Sequence, residues 1–317
     1  MSRILLTAIG SMAAAPVARR YQALGHAVFG CDIYPRAWTP LAGEIDFFQA
    51  RLATEGEPYV EQLREAVRRD MLDFLIPLTD PEVDALAPRK AEFRALGCTV
   101  CVPEERVAAL CRRKDTMNRF LAEKQVCRLI PTESAVSGQP CPFPFPAMVK
   151  PRSGRSSLGQ AVAADEKSYQ TALAGREDCI VQPFLEGDVF CVDVARDSAG
   201  QVRAAARQEL LRNKSGLGMT VEVLPDHPLE AVCAAIAEAV GLVGVVNMEF
   251  IRHGDDFFFL EVNPRFSGGV GFSMAAGMDF AEMMLCCHSC GSVEAFPAAP
   301  KHALLAREST IVLTQLR

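Results

Sequence analysis

The sequence predicts a mixed α/β and α+β fold that begins with a doubly wound parallel α/β lobe. Short apolar runs alternate with amphipathic segments through about residue 105, which is the order typical of parallel α/β units. From residue 187 the order changes to strand, turn, strand, which indicates antiparallel pairing. The chain has 317 residues, half of them hydrophobic, so it is long enough for two or three domains with buried cores.

The first predicted domain covers residues 1–105. Strands are predicted at 3–9, 25–35, 73–80 and 97–102. Helices are predicted between them at 13–24, 59–70 and 81–96. In the second of these helices Val60, Leu63 and Val67 recur at helical spacing and give it one apolar face.

The turn after the first strand raises the possibility of a dinucleotide site. Gly10 follows the strand, and Asp32 lies roughly 20 residues on, where a ribose-binding acid would be. The segment reads Gly-Ser-Met-Ala-Ala, with one of the three expected glycines. The alternative is that Gly10 ends a strand and Asp32 caps a turn.

The second predicted domain, residues 106–185, is a small α/β unit. A helix is predicted at 106–125, and a proline-dense segment at 137–151 leads into the strand Ala147–Lys150. A Gly/Ser loop, a helix at 165–174 and a strand at 179–184 follow.

The third predicted domain, residues 186–317, is built on antiparallel strands. Strands at 188–197 and 201–210 precede a helix at 226–242, with Asp226 as its predicted cap and Gly241 as its stop. A hairpin follows from 244 to 264. The tail contains helical pieces and a last predicted strand at 309–314.

The hairpin carries the strongest chemical signal. Strand side chains alternate with period two, so Glu261 and Asn263 share a face, and the partner strand can place Glu249 beside them. Two carboxylates and an amide oxygen are hard ligands suited to Mg²⁺. Phe250 and Leu260 flank these residues and argue against an ordinary solvent-facing edge.

Positive charges predicted near this site favour a phosphate ligand. Arg265 lies just past Pro264 and can meet a phosphate with two hydrogen bonds. Lys150 ends a strand, and the loop at 151–159 exposes backbone N–H groups that can cover phosphates. The candidate contacts in that loop are Ser153, Gly154, Ser156 and Ser157. The alternative for the loop at 151–159 is a plain connection between elements. Lys114, near a helix start, is a further candidate.

The segment after the strand at 179–184 is a candidate for binding the base and sugar of a nucleotide. Pro183 precedes a turn, so exposed backbone at Phe184 can pair with an adenine edge, and Asp188 can reach a ribose hydroxyl.

The order of these features resembles the ATP-grasp superfamily, most closely the group similar to the carbamoyl-phosphate synthetase large subunit. The motif "NMEF…FLEVNPRFSGG" is similar to the metal-binding hairpin of that family, and "LIPLTDPEVDALA" is similar to its N-terminal domain. The resemblance implies a two-lobed ATP-grasp unit after the first lobe. It implies Glu249, Glu261 and Asn263 as Mg²⁺ ligands, with Mn²⁺ as a possible substitute.

The resemblance also implies roles for the remaining candidates. Lys114 and Lys150 are implied as ATP contacts, and Gln182 to Phe184 as the adenine-side hinge. The family's Gly-x-Glu after the hinge reads Gly187-Asp188-Val189 here, which makes Asp188 the nearest acid to the ribose.

The chemistry implied is ADP-forming ligation. A carboxylate is activated as an acyl phosphate and joined to an amine or similar nucleophile, with Arg265 at the transferring phosphoryl group. Lys214, together with Arg212, adds positive charge near the acyl phosphate, or lies in a solvated loop. The alternatives are a carbamoyl-phosphate synthetase-like enzyme or fragment acting on bicarbonate or carbamate, and a non-catalytic ATP-binding module.

Composition excludes several other classes of protein. A net charge of −6 without a long Lys/Arg run disfavours nucleic-acid and membrane-surface binding. No run reaches the ~18 apolar residues of a transmembrane helix, so a cytoplasmic protein is expected. The oligomeric state is left open, with a homodimer as one candidate. The 12 cysteines, including Cys98-x-x-Cys101 and the group at 286–290, are expected to be reduced thiols.

Overall fold

The first sheet of the computed structural model, which describes residues 1–154 and 158–315, is parallel with the order β3-β2-β1-β4-β5. Its strands are β1 (Arg3–Leu6), β2 (Ala27–Asp32), β3 (Asp46–Gln49), β4 (Phe74–Ile76) and β5 (Thr99–Val100). Its helices are α1 (Ala14–Ala23), α2 (Glu57–Asp70), α3 (Asp80–Leu86) and α4 (Lys90–Ala95).

Alternation along β1 explains why this sheet is covered on both faces. Ile4 and Leu6 pack in the core that contains α1, whereas Leu5 packs in the core that contains α2. Both faces are therefore buried, as a doubly wound sheet requires, and the predicted fold of this lobe is confirmed. The strand β3 was not predicted, and the helix predicted at 81–96 is interrupted at Ala87–Arg89, where Pro88 lacks a backbone donor.

The second sheet is small and antiparallel, with the order β7-β10-β8-β9. Its strands are β7 (Glu133–Ala135), β8 (Ala147–Pro151), β9 (Ala161–Ala163) and β10 (Cys179–Pro183). The helix α7 (Glu166–Leu173) packs on it through Tyr169 and Leu173. Asp165 caps α7 by accepting from the backbone N–H of Ser168.

The third sheet is the largest and has the order β16-β13-β12-β11-β14-β15-β6. Its strands are β6 (Arg128–Leu129), β11 (Asp188–Arg196), β12 (Val202–Arg212), β13 (Gly218–Leu224), β14 (Gly244–His253), β15 (Asp256–Asn263) and β16 (Ala303–Ala306). Only the β15–β6 pair is parallel among these described strands.

One face of the third sheet is apolar along its length, and the other face is divided. Val192, Ala206 and Met248 on the first face pack against helices α5 (Glu105–Arg112), α6 (Lys114–Lys124) and α8 (Pro228–Val240). On the second face, Ala195 and Val245 pack against α10 (Phe280–His288), in the core that also covers β1. At the β13 end of the same face, Val221 and Val223 pack against Phe272. The polar part between these two apolar regions forms the site described below. Helix α9 (Val270–Ala275) follows that polar part.

The ends of helices show where local prediction is accurate and where it is wrong. Gly241 ends α8 in the left-handed region (φ 72), as predicted. The N-cap of α8 is His227, whose Nδ1 accepts from the N–H of Leu229, and not Asp226. The single helix predicted at 106–125 is two helices, α5 and α6, separated by the extended residue Arg113.

The C-terminal strand lies earlier than predicted. Residues 309–314 form no strand; instead Ala303–Ala306 pairs with β13. The apolar residues of the predicted strand have no sheet edge to cover, and Ile311 is fully exposed. The predicted domain bounds after residues 105 and 185 stay predictions.

Two other features of the described chain bear on its class. All twelve cysteines are free thiols, as predicted. No helix among the described residues has the length and apolar character needed to cross a membrane.

Candidate functional site

The hairpin β14–β15 brings the predicted acids together. Antiparallel pairing sets Asn247 opposite Asn263 and Glu249 opposite Glu261. These four side chains share the polar part of the second face of the third sheet. Asn263 Nδ2 lies 3.4 Å from Glu249 Oε1 and 3.4 Å from Glu261 Oε1, so the group is compact.

The electrostatics of the acid pair fit a divalent cation. Burial, followed by the charge of Glu261, raises the pKa of Glu249. Lys114 Nζ lies 2.9 Å from Glu261 Oε2, and an Arg212 nitrogen lies 3.7 Å from Glu249 Oε2. Two carboxylates with an amide oxygen are a donor set that suits Mg²⁺, which completes its shell with water and phosphate oxygens. Within residues 1–154 and 158–315 no cluster of three His, Cys, Asp or Glu side chains offers a rival metal site.

Two buried lysines face this pair from the helix α6 and the strand β8. Lys114 is the first residue of α6 and also donates to the carbonyl of Gly154 at 3.3 Å. Lys150 lies in β8, and burial lowers its pKa to about 8 although the charge of Glu261 partly opposes this. A buried lysine without an anion of its own is suited to receive one, which agrees with the predicted phosphate role of Lys150.

A cavity of about 230 Å³, the small cavity, lies between the second and third sheets. Lys114, Lys150, Arg212, Glu249 and Glu261 line it and give it a net positive wall. Its other lining residues are Ile130, Met148, Pro151, Gly154, Leu158, Gln160, Gln182, Pro183, Phe184, Leu185, Val189, Ser215, Gly216, Ile251 and Leu260.

The predicted hinge lines the small cavity, with one difference. Gln182 is buried and donates to Thr132 Oγ1 at 2.7 Å, while its Oε1 has no hydrogen-bond partner among the described residues. The backbone N–H of Phe184 donates to the carbonyl of Pro146 at 3.1 Å. This N–H is therefore engaged within the protein, and the predicted pairing of the Phe184 backbone with an adenine edge stays a prediction.

The structure does not bring Asp188 or Lys214 to the cavity. Asp188 shares a face of β11 with the core residue Phe190 and forms an ion pair with Arg252, whereas its neighbour Val189 lines the small cavity. Period-two alternation accounts for this, because one step along a strand reverses the direction of the side chain. Lys214 is exposed in the turn between β12 and β13.

The loop after β8 is described in part. Gly154 lines the small cavity, whereas Ser153 is exposed and does not line it. Ser156 and Ser157 lie outside the described residues.

A second cavity of about 730 Å³, the large cavity, lies between the first and third sheets. It shares Ser215, Gly216, Glu249 and Glu261 with the small cavity, so the two cavities meet at the acid pair. Loops at the carboxyl ends of β1, β2 and β4 form one wall, and β11, β12, β14 and β15 form the other.

Arg265 lies on the wall of the large cavity and is already paired. Its Nε and one terminal nitrogen each lie 3.1 Å from a different oxygen of Asp80, which is buried at the start of α3. The predicted phosphate contact of Arg265 stays a prediction, and the pair with Asp80 engages two of its nitrogens. The signal for Asp80 was present in "LTDPE", where Thr79 and Glu82 form a capping box.

A buried arginine that was not predicted anchors the same wall. Arg207 contacts Asp193 at 2.6 Å and Glu209 at 3.2 Å, and it also donates to Ser267 at 3.1 Å. A Cβ on Gly269 would lie 2.7 Å from a terminal nitrogen of Arg207, so this glycine makes room for the arginine and not for a ligand. The signal missed was an acid, Asp193, inside an otherwise apolar strand.

The dinucleotide interpretation of the first lobe is not supported by the geometry. Asp32 Oδ2 accepts from the N–H of Gly10 at 2.7 Å, and Asp32 Oδ1 accepts from the N–H of Tyr34 at 3.1 Å. One oxygen therefore joins the loop after β1 to the end of β2, and the other caps the turn at Tyr34, which agrees with the alternative predicted for Asp32.

Comparison with known proteins agrees with this architecture. The family model described as "ATP-grasp in the biosynthetic pathway with Ter operon" matches residues 175–310. A formate-dependent phosphoribosylglycinamide formyltransferase of Synechococcus sp. (strain CC9605) is 27% identical over 278 residues, covering 78% of this chain and 66% of the relative. The chain spans about two thirds of the length of the curated relatives it matches.

Solved structures share the fold at low sequence identity. Biotin carboxylase from Campylobacter jejuni aligns with a TM-score of 0.72 and 17% identity, covering 94% of this chain and 74% of that one. N5-carboxyaminoimidazole synthetase from Staphylococcus aureus aligns with a TM-score of 0.71 and 15% identity, covering 96% and 80%. The predicted fold class, an α/β lobe followed by a two-lobed unit, is confirmed.

Proposed function

We propose that this chain, which matches an ATP-grasp family model over residues 175–310, is an ATP- and Mg²⁺-dependent ligase that joins a carboxylate to an amine or similar nucleophile. The observation that carries this proposal is the meeting of two cavities at Glu249 and Glu261. A nucleotide in the small cavity and a carboxylate in the large cavity would face each other there. The biosynthetic description of the matching family supports a role in biosynthesis.

The proposed reaction has two steps. A carboxylate oxygen attacks the γ-phosphorus of ATP, the bond to the β,γ-bridging oxygen breaks, and ADP leaves with an acyl phosphate formed. The amine nitrogen then attacks the acyl carbon, phosphate leaves with the C–O bond electrons, and the nitrogen releases a proton. The protein contributes position and charge, because no covalent enzyme intermediate is required.

The residues at the junction have separate tasks in this proposal. Glu249, Glu261 and Asn263 would hold Mg²⁺, or Mn²⁺ in its place. When bound, the metal supplies positive charge to the phosphate oxygens. Lys114 and Lys150 donate to the phosphates from the opposite wall, where burial makes each hydrogen bond to an anion stronger than in water.

The pair Arg265–Asp80 would position the reacting groups. It links the end of β15 to the start of α3, so it ties together the two walls of the large cavity. A bidentate pair fixes the orientation of the guanidinium plane, so the N–H groups of Arg265 that do not contact Asp80 point in a fixed direction. We propose that these donors meet the acyl phosphate.

Each of the two alternative functions leaves part of the observed site without a role. An enzyme acting on bicarbonate or carbamate has no need of a cavity of about 730 Å³. A non-catalytic ATP-binding module would not need the acid pair, Lys114 and Lys150 to converge as they do. The relatives are formate-dependent formyltransferases and formate is a carboxylate, so formate is one substrate to test.

A screen for ADP release tests the proposed function. The full chain is incubated with Mg²⁺-ATP and pairs of small carboxylates and amines, including formate and amino acids, and ADP is measured by a coupled assay. We expect one class of pair to raise ADP release well above the rate with ATP alone, and removal of Mg²⁺ by a chelator to abolish it. If every pair gives the background rate, the ligase proposal is wrong. The cytoplasmic location and the possible homodimer stay predictions.

A further inference from the structure

The lining of the large cavity indicates the chemical class of its ligand. Apart from the acid pair shared with the small cavity, the Asp, Glu and Arg residues that line it are Asp32, Asp80, Glu82, Glu209, Arg207 and Arg265. None of the described residues that line this cavity is a lysine.

Both arginines are already matched by carboxylates. Arg265 is paired with Asp80. Arg207 is paired with both Asp193 and Glu209, so the cluster of these three residues carries one excess negative charge. A phosphate ester is normally bound by arginines or lysines whose donors are free. Away from the junction with the small cavity, where Arg265 is proposed to meet the acyl phosphate, the large cavity therefore offers no unpaired cation for a phosphate ester and favours a cationic ligand.

One buried carboxylate oxygen on this wall lacks a donor. Glu209 Oε1 accepts from Arg207, whereas Glu209 Oε2 has no hydrogen-bond partner within the described part of the chain. Gly218, which also lines the cavity, leaves room for this oxygen, because a Cβ there would lie 1.9 Å from it. A buried carboxylate oxygen without a donor is costly, so a ligand N–H at this place would be strongly favoured.

The opposite wall offers hydroxyls and an apolar surface. Thr39 Oγ1 and Ser11 Oγ are shielded from water and have no partner among the described residues, and both residues line the cavity. Tyr34 and Trp38 also line it, with ring centroids 6.1 Å apart, and Trp38 is 66% exposed. Large exposed aromatic side chains grouped at a cavity mark a surface for an apolar or aromatic part of a ligand.

We propose that the large cavity binds a primary amine carrying an apolar or aromatic group, with its ammonium on Glu209 and its apolar part against Tyr34 and Trp38. This inference rests on the proposed function, since it names the substrate class of the same site. It would separate this chain from the phosphoribosylglycinamide formyltransferases, because a phosphoribosyl compound carries a phosphate ester.

Calorimetric titration of the full chain with Mg²⁺-ADP present tests the inference without turnover. The probes are L-phenylalanine, L-leucine, 3-phenylpropanoate, which lacks the ammonium group, and ribose 5-phosphate. We expect L-phenylalanine or L-leucine to bind, 3-phenylpropanoate to bind at least about tenfold more weakly than L-phenylalanine, and ribose 5-phosphate not to bind. Binding of ribose 5-phosphate, or equal binding of L-phenylalanine and 3-phenylpropanoate, would overturn the inference, and so would binding of neither amino acid.

Two variants locate the contacts. Glu209→Gln is expected to weaken L-phenylalanine binding about tenfold and leave Mg²⁺-ADP affinity unchanged, with Glu238→Gln, an exposed acid on α8, as the matched control. Trp38→Ala changes an exposed side chain, so it tests the same cavity even if Glu209→Gln folds poorly; it should weaken L-phenylalanine more than L-leucine. Unchanged binding in both variants would contradict the proposal. If L-phenylalanine binds but no substrate pair raises ADP release, the amine site is retained and the ligase proposal is rejected. If ADP release is observed but neither amino acid binds, only the proposed amine site is rejected.

Discussion

The two cavities share one wall and differ in charge. In the small cavity, Lys114, Lys150 and Arg212 outnumber the two shared acids. In the large cavity each arginine is paired with at least one carboxylate, and Glu209 has an oxygen without a donor among the described residues. The small cavity thus suits an anion and the large cavity suits a cation, on the two sides of Glu249 and Glu261.

The difference shows how one hairpin can serve two ligands. A nucleotide and an ammonium compound need opposite surroundings, and neighbouring elements supply them. The second sheet and the helix α6 bring lysines to one side, whereas the first sheet and β12 bring acids to the other. In the proposed function, both ligands would meet at the acid pair.

The largest effect is expected when one carboxylate of the shared acid pair is neutralised. Glu261→Gln takes one charge from the proposed metal site, so ADP release should fall by about 10²–10³-fold. The change should appear at saturating substrates, because the loss falls on the phosphoryl-transfer step. Glu238→Gln serves as the control in the same coupled assay. Activity within about threefold of the original chain would show that the acid pair does not hold the metal.

A change confined to the small cavity should affect the nucleotide alone. Lys150→Met removes a buried cation, and the Kd for Mg²⁺-ATP should rise by about 10–100-fold, the range for hydrogen bonds to charged groups. Titration with the nucleotide measures this, and Lys167→Met on the exposed face of α7 is the control. An equal loss of amine affinity in the large cavity would mean that the two cavities are not separate.

A change confined to the large cavity should weaken binding of the amine and leave binding of the nucleotide unchanged. Gly218→Ala would place a Cβ 1.9 Å from Glu209 Oε2 and displace that carboxylate. The KM of the amine substrate should rise by about tenfold while the KM of ATP stays the same. Gly43→Ala, where a Cβ meets nothing within 4 Å, is the matched control. A raised KM for ATP alone would place Glu209 in the nucleotide site.

The smallest effects are expected at Asp188 and Lys214. Neither residue lines a cavity, so Asp188→Asn and Lys214→Ala should each change kcat/KM by less than about threefold, an effect typical of exposed charges. Steady-state kinetics for both substrates provide the measurement. A tenfold loss in Lys214→Ala would mean that the turn between β12 and β13 carries this lysine to the reacting groups.

Features with a local cause were predictable from the sequence. Period-two alternation placed Glu261 and Asn263 on one face, and the hairpin turn fixed their partner Glu249. The end of α8 followed from Gly241. The same alternation, applied from Glu249 through its register partner Cys191, would also have turned Asp188 away from the cavity.

Features with a long-range cause were not predictable in this way. The partner of Arg265 is Asp80, 185 residues away, and no local pattern joins them. The cluster of Arg207, Asp193 and Glu209 forms only when β11 and β12 pair and the residues after β15 close over them. The charge of the large cavity depends on these pairs, so its ligand class could be inferred only from the structure.

Transfer of oxygen from substrate to phosphate tests the central claim most directly. The carboxylate identified by the ADP-release screen is labelled with ¹⁸O in both oxygens, and the phosphate released during turnover is examined by mass spectrometry. Activation as an acyl phosphate at the junction of the two cavities predicts one ¹⁸O atom in each phosphate formed. Phosphate that carries no ¹⁸O would contradict the account, because the γ-phosphoryl group would then have passed to water and not to the carboxylate.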